Sequence, residues 1–228
     1  MIIKVKNLSK NFLDGKKTLN VLNNISFDVK EGEIVTIKGP SGSGKSTLLS
    51  ILGTLDHADS GEIFINNQSL SEAIDLNRLR NLNIGFVFQF HNLIPELSLE
   101  ENVCMPKMIS KEKIDKHKIK ELFKIFELED RMKSFPNDLS GGEKQRVAVM
   151  RAIVNNPSIV IADEPTGNLD KENAIKMIAL FKKLNTKNNL TFIIATHDEE
   201  IFDIGHSQYI LDGGDLKKYK YLTLCHTY

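Results

Sequence analysis

Apolar and polar residues alternate over residues 2–5, the two-residue period of a half-buried strand. Two further strand-like runs lie within residues 18–29, and Asp14-Gly15 ahead of them is a turn signal. Ile34-Val35-Thr36-Ile37 differs: only Thr36 is polar, as in a parallel strand buried on both faces. Residues 46–52 read as helix, and residues 61–65 and 84–88 as strands. From about residue 98 to 132 the period lengthens. There Ile114, Ile119, Leu122, Phe123, Ile125 and Phe126 recur at helical spacing among lysines and glutamates. Residues 159–162 and 191–195 are again short apolar strands, with a helix over 171–187 between them. Strands alternating with helices imply right-handed crossovers and a mainly parallel sheet, into which the 98–132 stretch is inserted as a helical lobe.

Composition narrows the class. At 228 residues the chain has room for one large α/β domain, and its 41% hydrophobic and 26% charged content is ordinary for a soluble globular protein. Thirty basic residues balance thirty acidic ones, so charge gives no reason to expect nucleic acid as a partner. The local lysine excess at Lys111, Lys113, Lys116, Lys118 and Lys120 reads as a solvated helix face. Cys104 and Cys225 are far apart and in no metal-like spacing, which predicts free thiols in a reducing compartment. The N-terminus lacks the apolar core of a signal peptide, and no run approaches the ~18 apolar residues of a spanning helix. The expectation is a cytoplasmic chain that meets a membrane only through a partner.

The chemistry concentrates in a few segments. Residues 39–47, Gly-Pro-Ser-Gly-Ser-Gly-Lys-Ser-Thr, fit G-x-x-x-x-G-K-S/T between a strand and a helix. Gly39, Gly42 and Gly44 are expected to take unusual backbone angles that turn N–H groups toward phosphate, with helix polarity adding positive potential. Pro40, Ser41, Ser43 and Thr47 complete this nucleotide-binding loop. Lys45 is expected to reach the β- and γ-phosphates of ATP and Ser46 to ligate Mg²⁺. Asp163, closing the 159–162 strand, is placed to hold the same Mg²⁺, and Glu164 after it is the candidate general base. Ser140 with Glu143 has the form of a capping box, opening a helix through Val147, Val149, Ile153 and Val154. A bare cap has no need of Gly141-Gly142, whose backbone N–H groups suit an anion. On local grounds both readings stand.

Leu139-Ser140-Gly141-Gly142-Glu143-Lys144-Gln145 resembles the signature sequence of ATP-binding cassette (ABC) ATPases. Other family landmarks occur in family order over essentially the whole chain, apart from the lysine-rich tail after Gly213. Gln89 matches the glutamine-loop residue at the nucleotide and metal, and Asn168-Leu169-Asp170 the dimer-interface loop after the catalytic acid. His197 matches the catalytic switch histidine that contacts the γ-phosphate, and Phe12 the aromatic stacked on adenine. Tyrosine is commoner at that last position, but Phe keeps the π face. The resemblance implies a P-loop NTPase cassette in a single domain over 1–228. Its mostly parallel core would take residues 1–88 and 158–228, with an N-terminal antiparallel β subdomain, and residues 89–157 would form the helical lobe. It also implies a head-to-tail homodimer, each ATP lying between the phosphate loop of one copy and residues 139–143 of the other.

Residues 162–170 resemble the branch that contains lipoprotein-releasing, macrolide-exporting and division-linked ATPases. Residues 90–96 and 101–106 look most like the lipoprotein-releasing members, in a stretch that adjoins the membrane partner in this family. This closer resemblance implies a peripheral ATPase on the cytoplasmic face of the inner membrane, bound to two integral-membrane permeases. An exporter or division subunit is the alternative. Soluble cassettes of other function usually carry a coiled-coil insertion or a second cassette, and the short interval between the two phosphate motifs leaves no room for a coiled coil.

Overall fold

The computed structural model describes residues 1–15, 17–72 and 75–219. Strands β1 (Ile3–Asp14), β2 (Lys17–Val29), β4 (Ser60–Ile65) and β5 (Gln68–Ser69) form an antiparallel sheet in the order β2-β1-β4-β5. Where two runs were expected within 18–29, β2 is one continuous strand. Bulging replaces breaking. The β1–β2 register shifts between Val5 and Leu8, between Leu8 and Lys10, and between Lys10 and Asn11. Asn7 (φ 50°) and Asn24 (φ 48°) absorb the bends, each donating its N–H to a serine hydroxyl across the pair: Asn7 to Ser26 Oγ, Asn24 to Ser9 Oγ.

The second sheet has six strands in the order β10-β9-β3-β8-β7-β6: β3 (Ile34–Lys38), β6 (Ile84–Val87), β7 (Ile159–Asp163), β8 (Thr191–Thr196), β9 (Ser207–Asp212) and β10 (Asp215–Lys218). All neighbours run parallel except the β9–β10 hairpin. Alternate side chains sort into two cores. Val35, Ile37, Ile159, Ile161, Ile193 and Ala195 join Leu48 and Leu49 of α1 (Lys45–Leu52) and the antiparallel sheet. Ile34, Val160, Ala162, Phe192 and Ile194 join the helical side. A sheet covered on both faces needs apolar residues throughout, which is why these strands show no alternation. The tail after Gly213 starts inside this architecture: β10 pairs with β9, and Tyr219 N donates to Gln208 O. Cys225 lies outside the described residues; Cys104 is a buried free thiol, its pKa raised to about 11 by desolvation.

The helical side comprises α3 (Leu99–Ile109), α4 (Lys116–Ile125), α5 (Gly141–Ile153) and α6 (Lys171–Asn188). The stretch expected to be helical from 98 to 132 is broken. Lys111 turns left-handed (φ 56°), Asp115 caps a new helix by accepting from His117 N and Lys118 N, and a 3₁₀ turn covers Glu129–Arg131. Ile119, Phe123 and Phe126 are buried while the five lysines at 111–120 are exposed, so the period marks the core face. Helix α2 (Leu76–Asn83) had no legible apolar stripe, and it buries no residue completely. A short α7 (Glu199–Phe202) precedes β9.

Helix α5 lies directly on β6. A Cβ built at Gly85 would stand 2.2 Å from the Ala152 carbonyl oxygen, so this contact requires glycine. Gly85→Ala is therefore expected to destabilise the fold by about 2–4 kcal/mol through overpacking. A urea midpoint within error of wild type would show that α5 does not rest on the sheet at this distance.

Candidate nucleotide site

Six of the seven described α-helices have a side-chain N-cap: Asp75, Ser98, Asp115, Ser140, Asp170 and Asp198 each accept a backbone N–H of the first turn. Helix α1 has none. Its N-cap is Gly44 at φ 99°, and the first intrahelical bond is Leu48 N to Gly44 O, so the N–H groups before it have no carbonyl behind them. That end of the helix presents uncapped donors and the positive end of its dipole to an anion. Gly42 (φ 78°) and Gly44 adopt the left-handed angles expected of them. Gly39 does not. Its glycine is needed for space, since a Cβ there would lie 2.1 Å from Leu211 O and 2.7 Å from Ser43 Oγ.

The loop opens onto a cleft of about 680 Å³ lined by Phe12, Val21, Gly39, Pro40, Ser41, Gly42, Gly44, Lys45, Ser46, Thr47, Gln89, Asp163, Glu164 and His197. Residues from six separate stretches of sequence thus converge at the C-terminal ends of β3, β6, β7 and β8, where an open α/β sheet offers its crevice. Lys45 Nζ donates to Gly39 O (2.8 Å) and Pro40 O (3.1 Å) and stands 4.0 Å from Glu164 Oε1. Glu164 is held on three sides. Its N–H donates to Ala195 O, its carbonyl accepts from Gly167 N, and its Oε2 accepts from His197 N at 3.2 Å and lies 2.7 Å from His197 Nδ1. His197 therefore meets the carboxylate through Nδ1, with Nε2 as the ring's remaining polar atom. Phe12 is partly exposed at the mouth, with Lys10 Nζ 5.1 Å from its ring centroid.

The oxygen set fits Mg²⁺ and phosphate. Asp163 Oδ1 is buried with no hydrogen-bond partner in the chain, and so is Ser43 Oγ within the loop. Such atoms cost free energy when left unsatisfied. A hydrated cation beside Asp163, Ser46 and Gln89 and a phosphate at Ser43 would supply their missing partners.

None of residues 139–143 lines this cleft. Ser140 forms the predicted capping box: its N–H and Oγ donate to Glu143 Oε2 (both 2.8 Å), and its Oγ accepts from Glu143 N (3.3 Å). Leu139 is buried. The two glycines differ in their surroundings. Gly141 is exposed, while Gly142 is buried with its would-be Cβ only 2.6 Å from Asn173 Oδ1, so its lack of a side chain is already required by packing. Asn173 in turn donates to Asp170 Oδ2, and Asp170 caps α6; those two bonds hold the Asp170 carboxyl below its ordinary pKa. In the same loop Asn168 Nδ2 donates to Gln89 O, and Leu169 packs against the core. Sequence reading missed Arg151 and Asn173. For Arg151 a signal existed: a lone arginine on the otherwise apolar back half of α5.

The family model described as "ABC transporter" matches residues 22–167. The lipoprotein-releasing system ATP-binding protein LolD of Cytophaga hutchinsonii is 46% identical over 201 residues, covering 86% of this chain and 92% of that protein. The protein of the same name from Buchnera aphidicola subsp. Acyrthosiphon pisum is 47% identical over 202 residues, covering 87% of this chain and 89% of the relative. Among solved structures, a dimeric ATP-binding cassette in a post-hydrolysis state bound to ADP and Pi superposes with a TM-score of 0.88 at 40% identity. It spans 96% of this chain and 98% of its own.

The capping box yields a pH-dependent expectation. Hydrogen bonds from Ser140 hold the Glu143 pKa below its ordinary 4.5. A depressed carboxylate stabilises the fold above its unfolded pKa and loses that contribution as pH falls through the folded value. The stability gap between wild type and Glu143→Gln should therefore be full at neutral pH and shrink on acidification below 4.5. Ser140→Ala should cost about 1 kcal/mol at neutral pH. Urea titrations across this range measure both, and a gap that grows toward acid would refute the assignment.

Proposed function

The chain belongs to the ABC transporter family, and we propose that it is the ATP-hydrolysing subunit of a lipoprotein-releasing system. In this reading it works as a head-to-tail homodimer on two integral-membrane permeases of the LolC/LolE type, peripheral to the cytoplasmic face of the inner membrane. No helix among the described residues is long and apolar enough to cross a membrane. The observation that carries the reading is the separation of the two phosphate-facing elements. The cleft gathers loop, metal-facing oxygens and carboxylate, while exposed Ser140 and Gly141 stand at another helix N-terminus outside it. Each copy thus holds two incomplete halves, which a second copy in head-to-tail arrangement completes. The solved dimeric cassette supports the presence of a second copy.

Each residue then has a task derived from its surroundings. The ammonium of Lys45 and the N–H groups of the loop hold the phosphates, because a triphosphate needs positive charge where water has been excluded. Ser46, Gln89 and Asp163 would hold Mg²⁺, which when bound screens charge on the β- and γ-phosphate oxygens. The Glu164 carboxylate orients the attacking water and accepts its proton. His197 keeps that carboxylate in place through the 2.7 Å contact and turns Nε2 to the transferring phosphate. Phe12 stacks on the base. Across the dimer, the Ser140 hydroxyl and the Gly141 N–H complete the donor set. The loop after Glu164, residues 168–170, lies between the two sites. Residues 90–96 include Phe90, 73% exposed, and Ile94; this apolar surface supports contact with the permeases.

Glu164→Gln is expected to keep ATP binding and reduce hydrolysis by at least about 10²-fold, since the amide keeps the shape and cannot take a proton. With ATP and Mg²⁺ it should accumulate as a dimer by light scattering. Normal turnover in a monomeric variant would sink both the base assignment and the sandwich.

Two cysteines test the geometry. In a chain that carries both Ser41→Cys and Gly141→Cys, the crosslink should form between copies in ATP. A crosslink found only within one chain would exclude head-to-tail closure. Lipidated protein cargo in the detergent-solubilised complex supports lipoprotein release, and a small-molecule cargo would favour export instead.

A further inference from the structure

Gln89 sits in a short loop whose backbone oxygens are gripped from outside. Arg151 Nη1 donates to Asn92 O at 2.5 Å, and Nη2 donates to His91 O at 2.6 Å. Gln145 Nε2 donates to Phe88 O at 3.4 Å, and Asn168 Nδ2 to Gln89 O at 3.0 Å. Four of the five carbonyls from residue 88 to 92 are thus held by other elements. Arg151 and Gln145 both belong to α5, the helix opened by Ser140. Asn168 belongs to the loop after Glu164.

The backbone under this grip is strained. His91 (φ 61°) and Asn92 (φ 50°) are consecutive left-handed residues, a conformation that side chains disfavour. The loop's own turns, His91 N to Phe88 O and Asn92 N to Phe90 O, are short local contacts with little to enforce it. The guanidinium supplies the constraint. Its two parallel N–H bonds reach adjacent carbonyls, a geometry that one ammonium cannot reproduce. No carboxylate lies within ion-pair distance of Arg151 among the described residues, and burial pushes its pKa down. A partly buried cation whose hydrogen bonds go to carbonyls is a poor way to gain stability alone. Its placement makes sense if it fixes something that matters more.

We propose that Arg151 is a positioning residue for ATP hydrolysis: its fork ties the loop that carries Gln89 to the signature helix α5, so that glutamine and signature move as one body. This rests on the reading of Gln89 as the metal-facing residue. The consequence is mechanical. When Ser140 and Gly141 close on the ATP of the partner copy, the displacement of α5 is passed to residues 88–92 of the same chain, and so to Gln89 where it lines its own cleft. Each chain thereby links the closure of one site to the assembly of the other.

The full chain is compared as wild type, Arg151→Met, Arg151→Lys, Gln89→Ala and Arg151→Met with Gln89→Ala. In Arg151→Met, amide hydrogen exchange over residues 88–94 should quicken about tenfold while β3 and α6 keep wild-type protection. Its kcat should fall about tenfold with the KM for ATP within about twofold, because a misplaced group costs turnover while the phosphate loop is intact. Arg151→Lys, which keeps charge and loses the fork, should fall between wild type and Arg151→Met. Adding Arg151→Met to Gln89→Ala should cost nothing further, since the residue being positioned is already gone. Full multiplication of the two losses overturns the proposal and leaves the Gln89 reading standing. Wild-type turnover in Gln89→Ala removes that reading and the proposal together. If Arg151→Met does not fold, Arg151→Lys carries the same measurements, and unchanged exchange over 88–94 in it counts against the proposal.

Discussion

The bare N-terminus of α1 is the constraint around which the molecule is arranged. Backbone N–H groups without carbonyl partners are costly unless water or an anion meets them, and among the described α-helices this one alone lacks a side-chain cap. Keeping such an end open demands that its surroundings fix it rigidly, and they do. Leu48, Leu49, Ile51 and Leu52 are buried between the two sheets, and Gly44 fits against Val21 O of β2 with no room for a Cβ. The antiparallel sheet therefore clamps the helix from the side away from the strands, and the phosphate-facing donors are held without a side chain having to sit among them. Preorganised donors of this kind require no rearrangement when charge arrives.

The same arrangement underlies the proposal that one copy is insufficient. Among the described residues lining the cleft, Lys45 is the one permanent cation, and it already stands 4.0 Å from the Glu164 carboxylate. Among the described residues, no second helix N-terminus lines the cleft, because α5 starts elsewhere, pinned by Gly142 against Asn173. In the proposed dimer, closure brings that second helix N-terminus to the anion, and the attraction of two such ends for one triphosphate would couple nucleotide to assembly.

Much of this was legible from sequence for physical reasons that differ by segment. Strands buried on both faces announce themselves as apolar runs, and the phosphate loop as glycines between strand and helix. Asp163 and Glu164 were marked by the apolar strand that ends at them; Gln89, His197 and Phe12 are scattered along the chain, and only the family resemblance gathered these three before the structure placed all five along one cleft. Helix α2 escaped because it buries no residue completely, and β10 because exposed lysines made a sheet edge look like a tail. Charged residues on an edge strand are an ordinary protection against edge-to-edge pairing, so polarity there was a poor guide. Gly39 was expected for its backbone angle and Gly142 for an N–H open to an anion, whereas in both the deciding contact is a neighbour distant in sequence, Leu211 and Asn173, which no local pattern displays.

Backbone strain separates structural from functional loops once its ordinary causes are removed. Twelve described non-glycine residues have positive φ, and seven are asparagines, the residue that tolerates this region best. Thr54, Lys111 and Glu127 each follow the C-cap of a helix, where a left-handed residue closes the last turn. Two remain, His91 and Glu164. Neither ends a helix, and each is held by contacts from remote elements: Arg151 on one, Ala195 and His197 on the other. Strain that the local sequence does not favour persists only where the surroundings over-determine it. Both cases lie beside the nucleotide cleft, one carrying the proposed base and the other adjoining Gln89. The fold thus places strain at the two loops that carry the proposed base and the proposed metal-facing glutamine, and α5 and β8 are the elements that hold them there.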